Sequence, residues 1–185
     1  LPSLADNIKR GNSLVSGGAA ELKPYFGEGW RDKHPFNWEQ EFPKVMEEGG
    51  FDVVIGNPPY VGFQRFEEDK PYLKERFKSA IGRFDVYIPF IERGLQLLKE
   101  GGLLGFICPT NFMKRQHGQA LREMLRLNCR IERIVDFEHS KVFEDALNYT
   151  CILIIRKTKP SSDAKFEYLR GIDSSPITTL QTRLS

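Results

Sequence analysis

The strongest constraint on this chain is the stretch Phe51-Asp52-Val53-Val54-Ile55-Gly56-Asn57-Pro58-Pro59-Tyr60. Three consecutive β-branched residues favour extended backbone, and an apolar run without polar alternation predicts a strand buried on both faces. Gly56 releases the backbone, and two prolines with fixed φ and no amide hydrogen forbid the strand from continuing. Asn57 and Tyr60 are therefore expected at the carboxyl end of a buried parallel strand, where open α/β sheets bind their ligands.

The tetrapeptide Asn57-Pro58-Pro59-Tyr60 carries its own chemistry. A proline-stiffened turn lets the Asn57 side-chain oxygen and the Pro58 carbonyl point the same way. Two acceptors side by side suit a planar amino group with two hydrogens, such as the exocyclic amine of adenine. Accepting both hydrogens favours a more tetrahedral nitrogen and frees its lone pair to attack an electrophilic methyl group. This is preorganised electrostatic stabilisation and needs no strong base. Tyr60 supplies a flat face for a planar group to stack on.

An apolar strand ending in Asn57-Pro58-Pro59-Tyr60 resembles motif IV of amino-group methyltransferases that use S-adenosylmethionine. Similar tetrapeptides serve enzymes acting on adenine in DNA, on glutamine amides in proteins and on guanine in RNA, so this motif alone leaves the substrate open. Upstream, Asn7-Ile8-Lys9-Arg10-Gly11-Asn12-Ser13-Leu14 reads as a short strand ending at Ile8 and a turn at Gly11-Asn12. It resembles motif III of large bacterial adenine-DNA methyltransferases, the modification parts of type IIG restriction–modification proteins. The resemblance implies that the Asn12 side chain hydrogen-bonds the adenine of S-adenosylmethionine. Asp85, Tyr87 and Phe90 match the family's motif V pattern, Asp/Asn-x-Tyr-x-x-Phe, which implies that Phe90 packs on that same adenine; a core role for Phe90 is compatible with it. The loop Lys141-Val142-Phe143-Glu144 resembles motif VIII and implies that Phe143 stacks on a flipped target base opposite Tyr60.

The remaining chain fits an α/β order. Residues 17–50 read as an irregular connection with a short helix near 36–46, and Trp30 and Trp38 read as packing residues. Residues 64–78 are rich in charge with a narrow stripe of Tyr72, Leu73 and Phe77, and read either as a mobile lid or DNA-facing arm or as a solvated surface helix. A helix is expected over 83–100, capped by Asp85 and stopped by Gly101-Gly102. Leu103–Cys108 is expected to be a second buried strand. A basic helix is expected over 111–128 with Asn111 as its cap; its arginines read mainly as a solvated face, with phosphate contact as the alternative. Strands are expected over 131–137 and 149–156, with a further strand-like run at Phe166–Leu169.

Composition bounds the function classes. Of 185 residues, 40% are hydrophobic and 28% charged, with a net charge of +2. That is a globular balance, and charge alone announces no nucleic-acid partner. No apolar run reaches membrane-spanning length and no signal peptide is recognised. Cys108, Cys129 and Cys151 lack metal spacing and read as reduced, buried thiols of a cytoplasmic protein, and the scattered histidines suggest no metal site.

The expected fold is therefore α/β, a Rossmann-like sheet of the S-adenosylmethionine-dependent methyltransferase type with a late antiparallel strand. Residues 1–160 are expected to form the carboxyl-side portion of a catalytic domain, and 161–185 the start of a following region or linker. The resemblance spans motifs III to VIII in family order but lacks the Gly-rich motif I that grips the cofactor, which leaves the sheet incomplete at its N-terminal side and this stretch alone expected to be inactive. It implies transfer of a methyl group from S-adenosylmethionine to adenine N6 in double-stranded DNA with the base flipped. Alternatives are methylation of a protein glutamine amide, whose planar amide fits the tetrapeptide equally well, and a non-catalytic DNA-binding remnant.

Overall fold

The computed structural model describes residues 7–138 and 149–171. Helices α1 (Ala19–Phe26), α2 (Trp38–Glu41) and α3 (Pro43–Glu47) lead into strand β1 (Phe51–Gly56). Helices α4 (Lys70–Arg76) and α5 (Tyr87–Leu97) follow, then β2 (Leu98–Pro109), α6 (Asn111–Lys114) and α7 (Gln119–Asn128). Strands β3 (Arg130–Asp136), β4 (Thr150–Arg156) and β5 (Glu167–Arg170) complete a sheet of order β1-β2-β4-β3-β5. β1 and β2 are parallel, as are β3 and β5, while β4 runs against both its neighbours. β4 is the expected late antiparallel strand, and β5 is the strand-like run near the end of the described chain.

The connection from β1 to β2 passes through α5, which lies against the sheet with Ile88, Ile91 and Leu95 buried at helical spacing. Gly94 permits this approach. A Cβ there would lie 2.5 Å from Leu104 Cδ1 and 3.1 Å from Phe106 Cζ. On the same sheet face Leu104, Phe106, Cys108, Cys151, Leu153 and Ile155 are buried, and they belong to the main core cluster.

The opposite face corrects the first expectation. Val53 is 50% and Ile55 82% exposed, so β1 is not buried on both faces. Leu103, Ile107, Ile152 and Ile154 on that side are only partly buried. The reason is positional: β1 is the edge strand, and only Val54 points toward α5, with its Cγ1 3.6 Å from a Cβ built on Gly94.

Several boundaries also move. No strand precedes Asn12 among the described residues; Asn12 instead forms an isolated bridge with Pro35, and Ile8 is 71% exposed. α5 starts after Val86 without a side-chain cap from Asp85, and it ends at Leu97, because Leu98 already pairs with Phe51 and the Gly101-Gly102 turn falls inside β2. The helix expected over 111–128 breaks into α6 and α7, and Thr110, not Asn111, occupies the first cap. Gly118 sits at the break, where a Cβ would meet the Phe112 carbonyl oxygen at 2.2 Å. The stripe Tyr72, Leu73 and Phe77 is 1–2% exposed and packed into the core, so residues 64–78 are a fastened segment, not a lid.

Glu92 is the polar centre of this packing. It is 5% exposed on the buried face of α5. Its carboxylate accepts the amide hydrogens of Lys78 (3.1 Å) and Ser79 (2.8 Å) and the Gln96 amide (3.3 Å). A Glu92→Leu variant leaves two amide hydrogens without partners, at a cost of about 2–4 kcal/mol. Chemical denaturation is expected to show that loss, with Glu92→Gln retaining part of the difference.

Candidate functional site

β1 and β2 end at the same edge of the sheet, with Gly56 opposite Phe106. Gly56 is required there, since a Cβ would lie 2.9 Å from the Phe106 ring. The chain then leaves the sheet as Asn57-Pro58-Pro59-Tyr60, in backbone that is neither helix nor strand. Pro58 is buried, Asn57 and Pro59 are exposed, and Tyr60 is half-buried. No hydrogen bond ties the Asn57 side chain to another described residue, so its oxygen is available to a ligand. Val61 holds the far end of the turn, its carbonyl accepting the Val86 amide hydrogen at 3.0 Å.

The Tyr60 hydroxyl is buried. Burial pushes its phenol well above the usual range, and the nearby thiols of Cys108 and Cys151 push it further. Those cysteines are directly opposed on β2 and β4, with sulfurs 4.0 Å apart and reduced. The ring thus stays neutral at all ordinary pH, as a stacking surface requires.

Phe143 lies outside the described residues. The two ends of its loop are placed, and both lie at the Asn57 edge of the sheet. On the β4 side the Tyr149 carbonyl accepts the Thr110 amide hydrogen (2.9 Å), joining the loop to the end of β2. On the β3 side Asp136, 5% exposed, accepts the Glu138 amide hydrogen (2.9 Å) and the Tyr168 hydroxyl hydrogen (2.7 Å). Burial and Asp136 together push the Tyr168 phenol up to about 12. Sequence reasoning missed Asp136; an acidic residue closing the apolar run Ile134-Val135 was its signal.

Asn12 sits in a tightly held segment. Its amide hydrogen bonds the His34 carbonyl (2.7 Å), and its side-chain oxygen accepts the Leu14 amide hydrogen (3.0 Å). That leaves the side-chain NH2 as its free donor. Around it, Tyr72 Oη bridges the Ser16 amide and carbonyl at 3.0 Å each, and Asn37 Oδ1 accepts the Gly17 amide hydrogen at 2.7 Å. Phe90 is half-buried at the margin of the core. One turn along α5 from Phe90, Arg93 reaches the Leu14 carbonyl (Nη2 to O 3.5 Å) with its guanidinium 5.0 Å over the Phe77 ring. Burial holds that guanidinium below its ordinary pKa. Arg93, another residue the sequence did not single out, joins the two segments expected to line one pocket. An amide donor and an aromatic ring supplied from these segments fit a planar heteroaromatic group such as adenine. Trp30 and Trp38 pack as expected: Trp30 lies against the core, and Trp38 lies within a cluster of Phe36, Phe42 and Phe51. Among the described residues no group of three His, Cys, Asp or Glu side chains could hold a metal ion, and no helix is long and apolar enough to cross a membrane.

The pattern of the Eco57I restriction-modification methylases matches residues 7–143. The type II restriction enzyme and methyltransferase RM.Eco57I of Escherichia coli is 34% identical over 172 residues, which is 90% of this chain and 16% of that protein. The chain spans between 10% and 33% of the length of the relatives it matches. A protein from Listeria monocytogenes described as a class I S-adenosylmethionine-dependent methyltransferase shares the fold with a TM-score of 0.54 at 23% identity, covering 73% of this chain and 41% of that one. DrdV, solved in complex with DNA, shares it with a TM-score of 0.52 at 19% identity, covering 75% and 16%.

The thiols give a check on this geometry. Burial pushes Cys129 up to about 11, and the hydrogen bond with Cys151, together with burial, raises Cys108 well above its ordinary value. In the folded protein all three thiols are expected to resist an aromatic disulfide reagent at pH 8 and to react on unfolding. A raised thiol pKa stabilises the fold fully below the unfolded value, about 8.5. Stability is therefore expected to hold level to about pH 8.5 and to fall as the pH rises toward about 11, which denaturation midpoints across that range will show.

Proposed function

The chain belongs to the Eco57I restriction-modification methylase family, and from that premise we propose that it forms the carboxyl-side part of the catalytic domain of an S-adenosylmethionine-dependent DNA methyltransferase that modifies adenine N6. The observation that carries this reading is Asn57 exposed and uncommitted at the carboxyl end of β1, on a proline-stiffened turn beside the half-buried Tyr60. Adenine specificity draws on the resemblance of the motifs; DNA as partner draws on the restriction–modification names of the relatives and on the DNA complex of a fold neighbour.

In this reading the Asn57 side-chain oxygen and the Pro58 carbonyl accept the two hydrogens of the target amine. The amine nitrogen loses conjugation with the ring, and its lone pair turns toward the incoming methyl group. Pro58 and Pro59 hold the two acceptors in place before the substrate arrives, so no reorganisation is needed during reaction. Tyr60 stacks on one face of the extruded base, and Phe143 on the other. Bound S-adenosylmethionine would supply the electrophilic methyl group as its carbon–sulfur bond breaks and leaves a neutral thioether, and the amine nitrogen would lose one proton to solvent. Asn12, through its side-chain NH2, and Phe90, through its ring, would hold the cofactor's adenine. Arg93 keeps the Asn12–Leu14 segment and α5 in register.

The test is mass spectrometry of DNA from cells expressing the natural gene or single variants. N6-methyladenine is expected with the unaltered gene and expected to be lost with Asn57→Ala. Tyr60→Phe, which keeps the ring, should retain most of the activity, and Tyr60→Ala should lose about 100-fold or more, in line with loss of base stacking. Methylated DNA with Asn57→Ala would remove Asn57 from the assignment. Methyl groups appearing on protein glutamines and not on DNA would remove the DNA reading.

A further inference from the structure

A cleft of about 900 Å³ opens beside the tetrapeptide, between the residues that follow Tyr60, the loop before α5, and the segment joining α6 to α7. It begins close to the candidate site: Phe63 forms one wall, and a Cβ on Gly62 would lie 3.8 Å from Asp85 Oδ1 on another. None of the residues considered for catalysis or cofactor binding lines it.

Its charges are unequal in their commitments. Asp85 faces His117, with His117 Nε2 3.6 Å from Asp85 Oδ2, and Glu123 faces Arg126 at 3.9 Å. Arg83 and Arg115 are exposed and make no ion pair among the described residues. Arg83 lies over the Phe63 ring at 5.8 Å, where the aromatic face lines up the guanidinium without neutralising it. Gln116 adds a neutral donor to the lining. The His117 Nε2 atom is buried and has no hydrogen-bond partner among the described residues. The cleft thus joins two uncommitted guanidinium groups, the exposed Gln116 amide and an aromatic wall. Guanidinium pairs with phosphate oxygens in bidentate fashion, and an aromatic edge accommodates a sugar or base.

We propose that this cleft is a phosphodiester-binding site that holds the DNA strand next to the flipped nucleotide, with Arg83 and Arg115 contacting backbone phosphates. The proposal rests on the DNA-methyltransferase reading and adds to it the place where the strand is gripped. Phosphate contacts position a duplex without reading its sequence. Arg83 and Arg115 are accordingly binding residues that set affinity and register, and the base-stacking and amine-holding groups remain separate from them.

The experiment uses the protein as its natural gene encodes it. Binding of a fluorescent duplex, with and without the recognition sequence obtained by mapping N6-methyladenine in DNA from cells carrying the unaltered gene, is measured across a series of salt concentrations. The double variant Arg83→Ala/Arg115→Ala is expected to weaken binding by the same factor on both duplexes. The slope of log affinity against log salt should become shallower by about two, one for each lost phosphate contact. Arg83→Lys/Arg115→Lys should keep most of the slope. Gln116→Glu, which puts a carboxylate on the exposed lining, should weaken both duplexes. Thermal midpoints and S-adenosylmethionine binding by calorimetry are expected to stay unchanged in all three variants. An unaltered slope in the alanine variant, with the wild type binding duplex normally, overturns the site and leaves the methyltransferase reading intact. Loss confined to the recognition sequence also overturns it, since that marks a base contact. A wild type that binds no duplex at any salt overturns the DNA reading and the site together.

Discussion

The parallel pairing of β1 with β2, closed from beneath by α5, is the constraint on which the rest of the molecule depends. Two parallel strands cannot be joined by a tight turn, so the chain between them must cross one face of the sheet, and α5 makes that crossing. The crossing is close because Gly94 leaves room for Leu104 and Phe106. Once it is made, the carboxyl ends of both strands share one edge, and every segment leaving that edge is brought to the same neighbourhood. Asn57 leaves from β1 and Thr110 from β2, and β3 ends at Asp136 and β4 begins at Thr150 on that same edge.

A sheet edge by itself is not a site, because loops leaving it need something to hold them. Here the holding is done by buried polar groups. Glu92 captures the 78–79 turn, Asp136 captures Glu138 and Tyr168, and Arg93 reaches across to Leu14. Each satisfies backbone groups that would otherwise be left bare in a low-dielectric interior, and each joins segments far apart in the chain. The candidate catalytic side chain, Asn57, is by contrast uncommitted. This division is physically sensible, since a group engaged in holding the scaffold has no free lone pair for a ligand.

The uneven burial of the sheet follows from strand order. Leu104, Leu153 and Ile155 lie beneath helices, whereas Val53 and Ile55 project from the uncovered side of an edge strand. Hydrophobic patterning alone assigned them to a buried strand because β-branched residues without alternation look the same whichever layer covers them. In the same way the stripe Tyr72, Leu73 and Phe77 showed an apolar face on a charged segment, but whether that face met solvent or the core depended on where the segment docked.

Much of the fold, and the position of the candidate site at a strand end, was legible in the residues. Local chemistry determined that Val53–Ile55 is extended, that Pro58 and Pro59 end the strand, and that the apolar runs of β1, β2 and β3 are separated by helices in an α/β order. These effects act over a few residues and need no partner to be decided. The tertiary structure alone decided that β1 lies at the edge, that the helix expected over 111–128 breaks where Arg115 turns extended, that the Tyr60 hydroxyl is buried, and that Glu92, Arg93 and Asp136 fasten distant segments. The physical reason is that each of these depends on which atoms lie opposite across a gap of a few ångströms. Proximity between residues tens of positions apart is set by strand order and crossing geometry, which no local stretch of sequence encodes.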